Sequence, residues 1–230
     1  MSRELAVMAK YWQPGMVKTR LASTLGEAVA ARLYRSMLET TLTRLHGRAE
    51  RSTLAFSPRG RRDEFQRIAP SGWRLEPQPA GDLGLRMLHQ IKMSLTTGSQ
   101  RVVLLGSDSP TVPWQYVEQA FQHLTHVEVV LGPTSDGGYY LVGVADRVPD
   151  IFEGIRWSTM TVLRDTLDRL ERRGIRFTEL PPWYDVDDEA DLDRLRQELF
   201  SGQCDGTEFD GLRRCMRESG LGGETSHFEA

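Results

Sequence analysis

Residues 127–144 read Val-Glu-Val-Val-Leu-Gly-Pro-Thr-Ser-Asp-Gly-Gly-Tyr-Tyr-Leu-Val-Gly-Val. The two apolar runs in this stretch, Val127–Leu131 and Tyr139–Val144, are typical of strands. Only Gly132–Gly138 separates them, which is too short for the helical crossover that joins parallel strands. The stretch therefore predicts an antiparallel or mixed insertion in the sheet that the rest of the chain forms.

Outside this stretch, strand-like and helix-like patterns alternate. The other continuous apolar runs, which are expected for strands buried on both faces, are Glu4–Ala9, Ser52–Phe56, Arg101–Leu105 and Arg176–Leu180. Apolar residues recur at helical spacing in Glu27–His46, in the segment that follows Asp82, in Val162–Leu170 and in Leu192–Leu199. This alternation predicts an α/β fold with a mixed, mostly parallel sheet and helices on both faces.

Length and composition exclude several classes of protein. The chain has 230 residues, of which 39% are hydrophobic and 27% charged, and these values exclude collagen, long coiled coils and wholesale disorder. No apolar run approaches the ~20 residues of a membrane span, and no signal peptide is recognisable, so we expect a cytoplasmic protein. Two cysteines cannot form a disulfide framework. We expect a single domain over residues 1–200 and a weakly ordered tail over 201–230, with one short helix near Leu212–Glu218.

The charges are unevenly distributed along the chain. Residues 1–75 carry 14 Lys and Arg against 6 Asp and Glu, although the net charge of the whole chain is −3. A basic first third suits a polyanionic ligand and an acidic remainder suits metal ligation, but chance variation of surface charge explains the same numbers equally well. Basic and aromatic residues are not interleaved, so we expect no nucleic-acid partner.

The first connection between a strand and a helix contains several basic residues. Pro14-Gly15 predicts a turn whose backbone amides are available to an anion, and Lys10, Lys18 and Arg20 add positive charge around it. In an open α/β sheet this connection lies at the edge where ligands bind. We favour a phosphate-binding loop over the alternative, a solvated basic loop.

An acid follows the apolar strand Arg101–Leu105 in the sequence Gly-Ser-Asp-Ser-Pro, residues 106–110. The carboxylate of Asp108 is placed to bind Mg²⁺ or Mn²⁺ that bridges ligand phosphates. The alternative is that Asp108 caps the helix that starts near Val112, although Ser107 or Ser109 could do so without a charge.

The sequence Ser-Asp-Gly-Gly-Tyr-Tyr, residues 135–140, lies in the connection described first. Gly137 and Gly138 allow a ligand to approach the backbone closely. Asp136 is a candidate catalytic base or hydroxyl acceptor, whereas an ordinary Asp-Gly turn explains Gly137 equally well.

Six acids occupy residues 185–193. Asp188, Glu189 and Asp191 fall at the start of a predicted helix, where the helix dipole favours acids without any further role. Asp185 and Asp187 point to the same side of an extended segment, which makes them candidates for a second metal ligand.

Five ordered motifs resemble one bacterial family. They are Pro-Gly-Met-Val-Lys-Thr-Arg-Leu (14–21), Gly-Ser-Asp-Ser-Pro (106–110), Ser-Asp-Gly-Gly-Tyr-Tyr-Leu-Val-Gly (135–143), Trp-Ser-Thr (157–159) and Asp-Val-Asp (185–187). The chain is similar, over about residues 4–199, to the glycosyltransferase-A-like proteins called radical-SAM/selenodomain-associated transferase 1. A more distant similarity links the first and third motifs to 2-phospholactate guanylyltransferase.

The resemblance implies a three-layer α/β/α sandwich of the nucleotide-diphospho-sugar transferase fold. It also implies a set of ligand-binding residues. By this resemblance, phosphates of the nucleotide are held by Lys10, Gly15, Lys18 and Arg20, a divalent metal by Asp108 and Asp187, and the acceptor or sugar by Gly137, Gly138, Tyr139, Trp157, Ser158 and Thr159.

The implied activity is transfer from an activated nucleotide to a small-molecule acceptor. Glycosyl transfer from a nucleotide sugar is the first expectation, and nucleotidyl transfer from a nucleoside triphosphate is the alternative. The alternative arises because Asp108 is a single acid where many glycosyltransferases of this fold have Asp-X-Asp. A non-catalytic nucleotide-binding protein is disfavoured because both acids and the basic pair Lys18 and Arg20 are present together.

Overall fold

The computed structural model of the protein describes residues 2–148 and 150–222. In chain order the strands are β1 (Arg3–Lys10), β2 (Arg51–Ser57), β3 (Arg74–Pro77), β4 (Arg101–Leu105), β5 (Val129–Pro133), β6 (Tyr139–Ala145) and β7 (Phe177–Glu179). The helices are α1 (Thr19–Leu25), α2 (Glu27–Leu45), α3 (Arg62–Ile68), α4 (Leu83–Thr96), α5 (Trp114–His123), α6 (Val162–Arg172), α7 (Glu189–Phe200) and α8 (Asp210–Glu218). Within the described residues, no helix is long and apolar enough to cross a membrane.

The strands form one mixed sheet in the order β3-β2-β1-β4-β6-β5-β7. All adjacent strands are parallel except β6, which is antiparallel to both β4 and β5. This confirms the antiparallel insertion that the short connection between β5 and β6 predicts. The chain moves outward from β1 in one direction through β2 and β3, and returns to the other side of β1 with β4. Ligands of open α/β sheets bind at such a reversal, beyond the carboxyl ends of the strands.

The sheet is covered on both faces, which confirms the three-layer architecture. In β1, Leu5 and Val7 pack with residues of α2, α3 and α5 on one face. Ala6 and Met8 face the opposite side, where they pack with α4 and α6. A strand buried in this way has no polar face, and for this reason its sequence is a continuous apolar run.

The described part of the segment after residue 200 packs on the domain. Phe209, Leu212 and Met216 are buried in a cluster with side chains of α2 and α7. The predicted helix near Leu212–Glu218 is present as α8. The Gly-rich composition predicts a loosely attached segment, but residues 209–216 are packed against the domain, because their three apolar side chains share one helical face. Residues 223–230, the rest of the predicted tail, lie outside the described residues.

A buried carboxylate joins the elements at the opposite end of the sheet from the carboxyl ends. Glu4 of β1 is fully buried and accepts hydrogen bonds from the hydroxyls of Thr53, Ser94 and Ser99 and from the Arg74 guanidinium. Burial alone would raise the pKa of Glu4, but these hydrogen bonds and the charge of Arg74 outweigh it and lower the pKa. Glu4 therefore stays ionised and links β1, β2, β3 and the end of α4.

Replacing Glu4 by Gln keeps the shape of the side chain but removes its charge. Because hydrogen bonds to a charged group contribute roughly 1.5–3 kcal/mol each, we expect Glu4→Gln to lower the free energy of unfolding by about 2–4 kcal/mol at pH 7. Urea denaturation measures this loss. Glu39→Gln, which removes a half-exposed pair with Arg35 one helical turn away, is the control, with a change within about 0.5 kcal/mol.

The effect of Glu4→Gln should depend on pH. Because the pKa of Glu4 is lowered in the folded chain from its ordinary value of 4.5, its contribution to stability is present above that value and is lost as the pH falls through the lowered pKa. The difference in unfolding free energy between wild type and variant should therefore narrow below about pH 4. A difference that stays constant from pH 7 to pH 3 would contradict the assignment.

Candidate functional site

A cleft of about 410 Å³ lies at the reversal point of the sheet, beyond the carboxyl ends of β1 and β4. Its floor is formed by the ends of these two strands, and its walls by the loop before α1, the first turns of α4, and the segment that precedes α7. The polar side chains that line it are Lys10, Lys18, Thr19, Tyr34, Gln78, Arg86, Ser107, Asp108, Asp185 and Asp187, together with Tyr139 and Tyr140.

The centre of the cleft is an ammonium group between two carboxylates. Lys18 Nζ lies 2.9 Å from Asp187 Oδ1 and also forms a short ion pair with Asp108 Oδ1. The Lys18 side chain is only 3% exposed, whereas those of Asp108 and Asp187 are 37% and 41% exposed. The cation is thus enclosed by the protein, and the two acids present their remaining surface to the cleft.

The backbone of Lys18 is held in an uncommon conformation. Its φ of 48° and ψ of 47° place it in the left-handed region, which residues with a side chain rarely occupy. Lys18 is also the residue that immediately precedes α1. The conformation turns the side chain inward from the loop, and the two ion pairs offset the strain.

Charge keeps Lys18 protonated. Burial alone would lower the pKa of Lys18, but the charges of Asp108 and Asp187 and the hydrogen bonds that they accept outweigh burial and raise the pKa above its ordinary value. For Asp185, in contrast, the effect of burial prevails: burial and the nearby charge of Asp108 raise its pKa to about 7. Asp185 Oδ1 accepts a hydrogen bond from the hydroxyl of Ser109.

Backbone and side-chain hydrogen bonds hold the two acid-bearing segments together. The amide of Val186 donates to the carbonyl of Asp108 at 2.9 Å, which places residues 185–187 beside the end of β4. Pro113 precedes α5 without a side-chain cap, so Asp108 does not fill the capping role that was the alternative for it. At the other end of the acidic run, Asp188 forms a capping box with Asp191, as the helix-start interpretation predicts.

Tyr34 of α2 was not among the residues that the sequence singles out. Its hydroxyl lies 2.8 Å from Ser107 Oγ and accepts a hydrogen bond from the backbone amide of Lys10 at 3.0 Å. It thereby joins the ends of β4 and β1 behind Lys18. Burial, and then the charge of Asp108, raise the pKa of Tyr34 to about 12, so it remains a neutral hydrogen-bonding group. The only signal for it was the apolar periodicity of α2, which predicts a buried face.

The structure brings some of the predicted residues together and separates others. Lys10, Lys18, Asp108, Asp187 and Tyr139 all line the cleft. Gly15 lies in the expected turn with a φ of 77°, and Arg20 is exposed in the first turn of α1, but neither lines the cleft. Trp157, Ser158 and Thr159 also lie outside its lining, and the last two are exposed.

The Asp-Gly-Gly turn is stabilised by its own side chains. Asp136 Oδ1 accepts hydrogen bonds from the hydroxyl of Thr134 and from the amide of Gly138, so its carboxylate closes the turn. Gly137 has a φ of 85°, and its carbonyl accepts a hydrogen bond from the amide of Leu163 at 2.8 Å. A Cβ atom at Gly137 would lie 2.1 Å from the carbonyl oxygen of Met160. The turn therefore holds the segment before α6 in place.

Trp157 belongs to the same packing arrangement. Its ring stacks on Phe152 and lies edge-on to Tyr139, with ring centroids 6.3 and 6.5 Å apart. A Cβ atom at Gly84 of α4 would lie 2.4 Å from Trp157 Nε1. Trp157 thus packs behind Tyr139, one layer away from the cleft.

Comparison with known proteins gives the class and the family. A protein from Desulfovibrio desulfuricans G20 described as a candidate nucleotide-diphospho-sugar transferase is 30% identical in sequence, with a TM-score of 0.83 over 97% of this chain and 100% of that one. The chain has the nucleotide-diphospho-sugar transferase fold. The model of the family described as "Uncharacterized protein conserved in bacteria (DUF2064)" matches residues 41–159, and the chain belongs to this family.

More distant structures share the fold alone. The inositol-1-phosphate CTP transferase from T. maritima is 14% identical, with a TM-score of 0.56 over 94% of this chain and 96% of that one. A CMP:2-keto-3-deoxy-manno-octonic acid synthetase complexed with CTP is also 14% identical, with a TM-score of 0.52 over 88% of this chain and 100% of that one. No curated protein matches the chain.

Replacing Lys18 by Met removes the cation but keeps the length of the side chain. The carboxylates then repel one another, and because Asp108 and Asp187 are partly solvated we expect a loss of only about 1–3 kcal/mol in unfolding free energy at pH 7. The exposed variant Arg20→Met is the control, with a change below about 0.5 kcal/mol by urea denaturation. In the double variant Lys18→Met/Asp108→Asn the losses should be less than additive, and strictly additive losses would contradict the ion pair.

Replacing Gly137 by Ala tests the close contact with Met160. The matched variant is Gly174→Ala, because Gly174 also has a positive φ, 62°, but a Cβ atom there would have no neighbour within 4 Å. The strain of the left-handed conformation should cost about 1–2 kcal/mol in each variant. Gly137→Ala should lose a further 1–3 kcal/mol, approximately, from overpacking. Equal melting temperatures of the two variants would show that the contact is unimportant.

Proposed function

We propose that the protein is a metal-dependent nucleotidyltransferase that joins a nucleoside triphosphate to an anionic small-molecule acceptor. The observation that carries the proposal is the pairing of Asp108, a single acid at the end of β4, with Asp187 from a distant segment around the Lys18 ammonium. This arrangement places, at the edge of the sheet where ligands bind, a cation that can neutralise phosphate charge and two acids that can bind a metal ion.

The surroundings of Asp108 favour nucleotidyl over glycosyl transfer. An Asp-X-Asp pair would place the second acid two residues from Asp108, and those two positions hold Gly106 and Pro110. No second acid therefore accompanies Asp108 on its own strand, in contrast to the Asp-X-Asp of many glycosyltransferases of this fold. The inositol-1-phosphate CTP transferase and the synthetase complexed with CTP, which share the fold, also support nucleotidyl transfer.

In the proposed reaction an acceptor oxygen forms a bond to the α-phosphorus, and the bond from that phosphorus to the bridging oxygen of the β-phosphate breaks. The electron pair leaves with pyrophosphate, and negative charge increases on the phosphate oxygens in the transition state. Lys18, fixed by two ion pairs, and Lys10, at the end of β1, supply positive charge to these oxygens. A preorganised cation needs no reorganisation during the reaction, which is why such groups are effective.

The donor set fits Mg²⁺ or Mn²⁺. Asp108 and Asp187 together carry two negative charges against the single charge of Lys18, and both expose carboxylate surface to the cleft. No group of three or more His, Cys, Asp or Glu able to hold a metal ion occurs in residues 2–148 and 150–222. Two acids are sufficient for Mg²⁺, which proteins usually bind through one or two carboxylates together with substrate phosphates. A bound divalent ion would supply Lewis-acid neutralisation of the phosphate charge.

Glycosyl transfer from a nucleotide sugar is the second candidate. The relative from Desulfovibrio desulfuricans G20, at 30% identity, is described as a candidate nucleotide-diphospho-sugar transferase. The motif resemblance to radical-SAM/selenodomain-associated transferase 1 supports the same interpretation. The two candidates differ in the donor that the cleft must bind.

A thermal-shift panel separates the candidates. Nucleoside triphosphates and nucleotide sugars are each added with Mn²⁺ and with a chelator. A ligand at 100 times its Kd stabilises the folded state by about 2.7 kcal/mol, which corresponds to roughly 5–10 °C for a chain of this length. The proposal predicts metal-dependent stabilisation by one triphosphate. Stabilisation by nucleotide sugars alone would favour glycosyl transfer, and no response to any member of the panel would contradict both.

Replacing Asp108 by Asn tests its role in the chemistry. Loss of one preorganised electrostatic contact typically reduces the rate by about 10²–10³. We expect Asp108→Asn to lose turnover by at least that factor, measured as pyrophosphate release with the triphosphate that the panel identifies, and to keep its circular dichroism spectrum. Asp193→Asn, in the exposed part of α7, is the control with full activity. Full activity of Asp108→Asn with an unchanged metal requirement would exclude Asp108 as a ligand.

A further inference from the structure

Arg86 lines the cleft but has no role in the proposed reaction. It lies in the first turns of α4, on the side of the cleft formed by Leu83 and Met87, and its side chain is partly exposed. The sequence patterns predicted the helix but did not single out Arg86, because an arginine on an amphipathic helix gives no local sign that it faces a ligand.

The guanidinium is held at the ends of β1 and β2. Arg86 Nε donates to the carbonyl of Gly81 at 3.0 Å, and Nη1 lies 3.5 Å from Gln78 Oε1. Gln78 is itself fixed, because its amide nitrogen donates to the carbonyls of Ala55 and Ala9 at 2.7 and 3.2 Å. The Arg86 guanidinium is therefore oriented by neutral oxygen atoms. Its Nη2 group has no hydrogen-bond partner in the described part of the chain.

Arg86 also has no acidic partner among the described residues. Throughout residues 2–148 and 150–222, the ion pairs within 4.0 Å involve other cations. Lys18 is already shared by two carboxylates. The cleft-lining cations without an acidic partner in the described chain are thus Lys10 and Arg86, and of these two Arg86 has its side chain positioned by hydrogen bonds.

We propose that Arg86 is a binding residue for an oxyanion in the cleft. A guanidinium presents a planar pair of donors that matches phosphate or carboxylate oxygens, and such charge-assisted bonds are about twice as strong as neutral ones. The identity of the ligand rests on the proposed function. The oxyanion belongs either to the phosphate chain of the nucleotide or to the anionic group of the acceptor.

The first experiment is isothermal titration of the full chain with inorganic tripolyphosphate. The variants are Arg86→Gln, Arg86→Lys and the control Arg67→Gln, in which an exposed arginine of α3 outside the cleft is changed. We expect Arg86→Gln to weaken binding by about 10-fold or more and Arg67→Gln to leave it unchanged. Arg86→Lys should be intermediate, because it keeps the charge and loses the planar fork. Melting temperatures of the variants equal to that of the wild type would show that a change in affinity does not come from loss of folded protein.

A second titration distinguishes the two sources of the oxyanion. Protein saturated with the stabilising triphosphate and Mn²⁺ is titrated with inorganic phosphate as a probe of a second anion site. Loss of tripolyphosphate binding in Arg86→Gln assigns Arg86 to the phosphate chain. Loss of phosphate binding to the loaded protein alone assigns it to the acceptor. Wild-type binding by Arg86→Gln in both titrations would overturn the proposal.

The outcomes for Arg86 and for the proposed function are separable. Arg86-dependent binding of tripolyphosphate without any response to nucleotides would retain the oxyanion site and reject the nucleotidyltransferase. Metal-dependent stabilisation by a triphosphate that is equal in wild type and Arg86→Gln, together with equal phosphate binding, would retain the function and reject the role of Arg86.

Discussion

The Lys18 ammonium, enclosed between Asp108 and Asp187, is the interaction on which the rest of the cleft depends. Lys18 and its two partners come from three distant parts of the chain: the loop after β1, the end of β4 and the segment before α7. A buried cation is tolerated only with close opposite charges, so each segment requires the others. The left-handed backbone of Lys18 and the hydrogen bond from Val186 to Asp108 fix the same geometry from the main chain.

The sheet order gives the cleft two chemically different halves. Asp108 follows β4 on one side of β1, and the acids and Lys18 gather there. On the other side of β1, Gln78 bonds to the ends of β1 and β2 and orients Arg86. An anionic ligand that extends across the end of β1 would lie near the enclosed positive charge of Lys18 in one half and could bind Arg86 in the other. The buried Glu4 at the opposite end of β1 keeps that strand in register with its neighbours, so the two ends of the strand are specialised for binding and for stability.

The sequence was sufficient for the elements whose signal is local. The strand over Arg101–Leu105 has the predicted bounds, α4 begins directly after Asp82 where the helical pattern starts, and the acidic run begins α7 through the Asp188 capping box. Strand β3 was missed because Arg74–Pro77 is short and alternates polar with apolar residues at the sheet edge. Helices α1 and α3 have seven residues each, too few for a periodic pattern to stand out.

The site was predictable in its parts but not in its assembly. Position at the ends of strands nominated Lys18 and Asp108, the acidic run nominated Asp185 and Asp187 as alternatives, and the family resemblance pointed to Asp187. Their meeting depends on packing between residues far apart in sequence. Asp136 was also nominated by its sequence, but its carboxylate accepts hydrogen bonds from within its own Asp-Gly turn. Arg86 and Tyr34 were missed because an arginine or a tyrosine on an amphipathic helix gives no local sign that it faces a ligand.

The most direct test of the central claim is a crystal structure with a nucleoside triphosphate and Mn²⁺, with the metal located from its anomalous scattering. The account predicts a manganese peak in contact with Asp108 and Asp187, and a triphosphate that lies in the cleft beside Lys10 and Lys18. A triphosphate bound elsewhere, or manganese bound away from both acids, would contradict it.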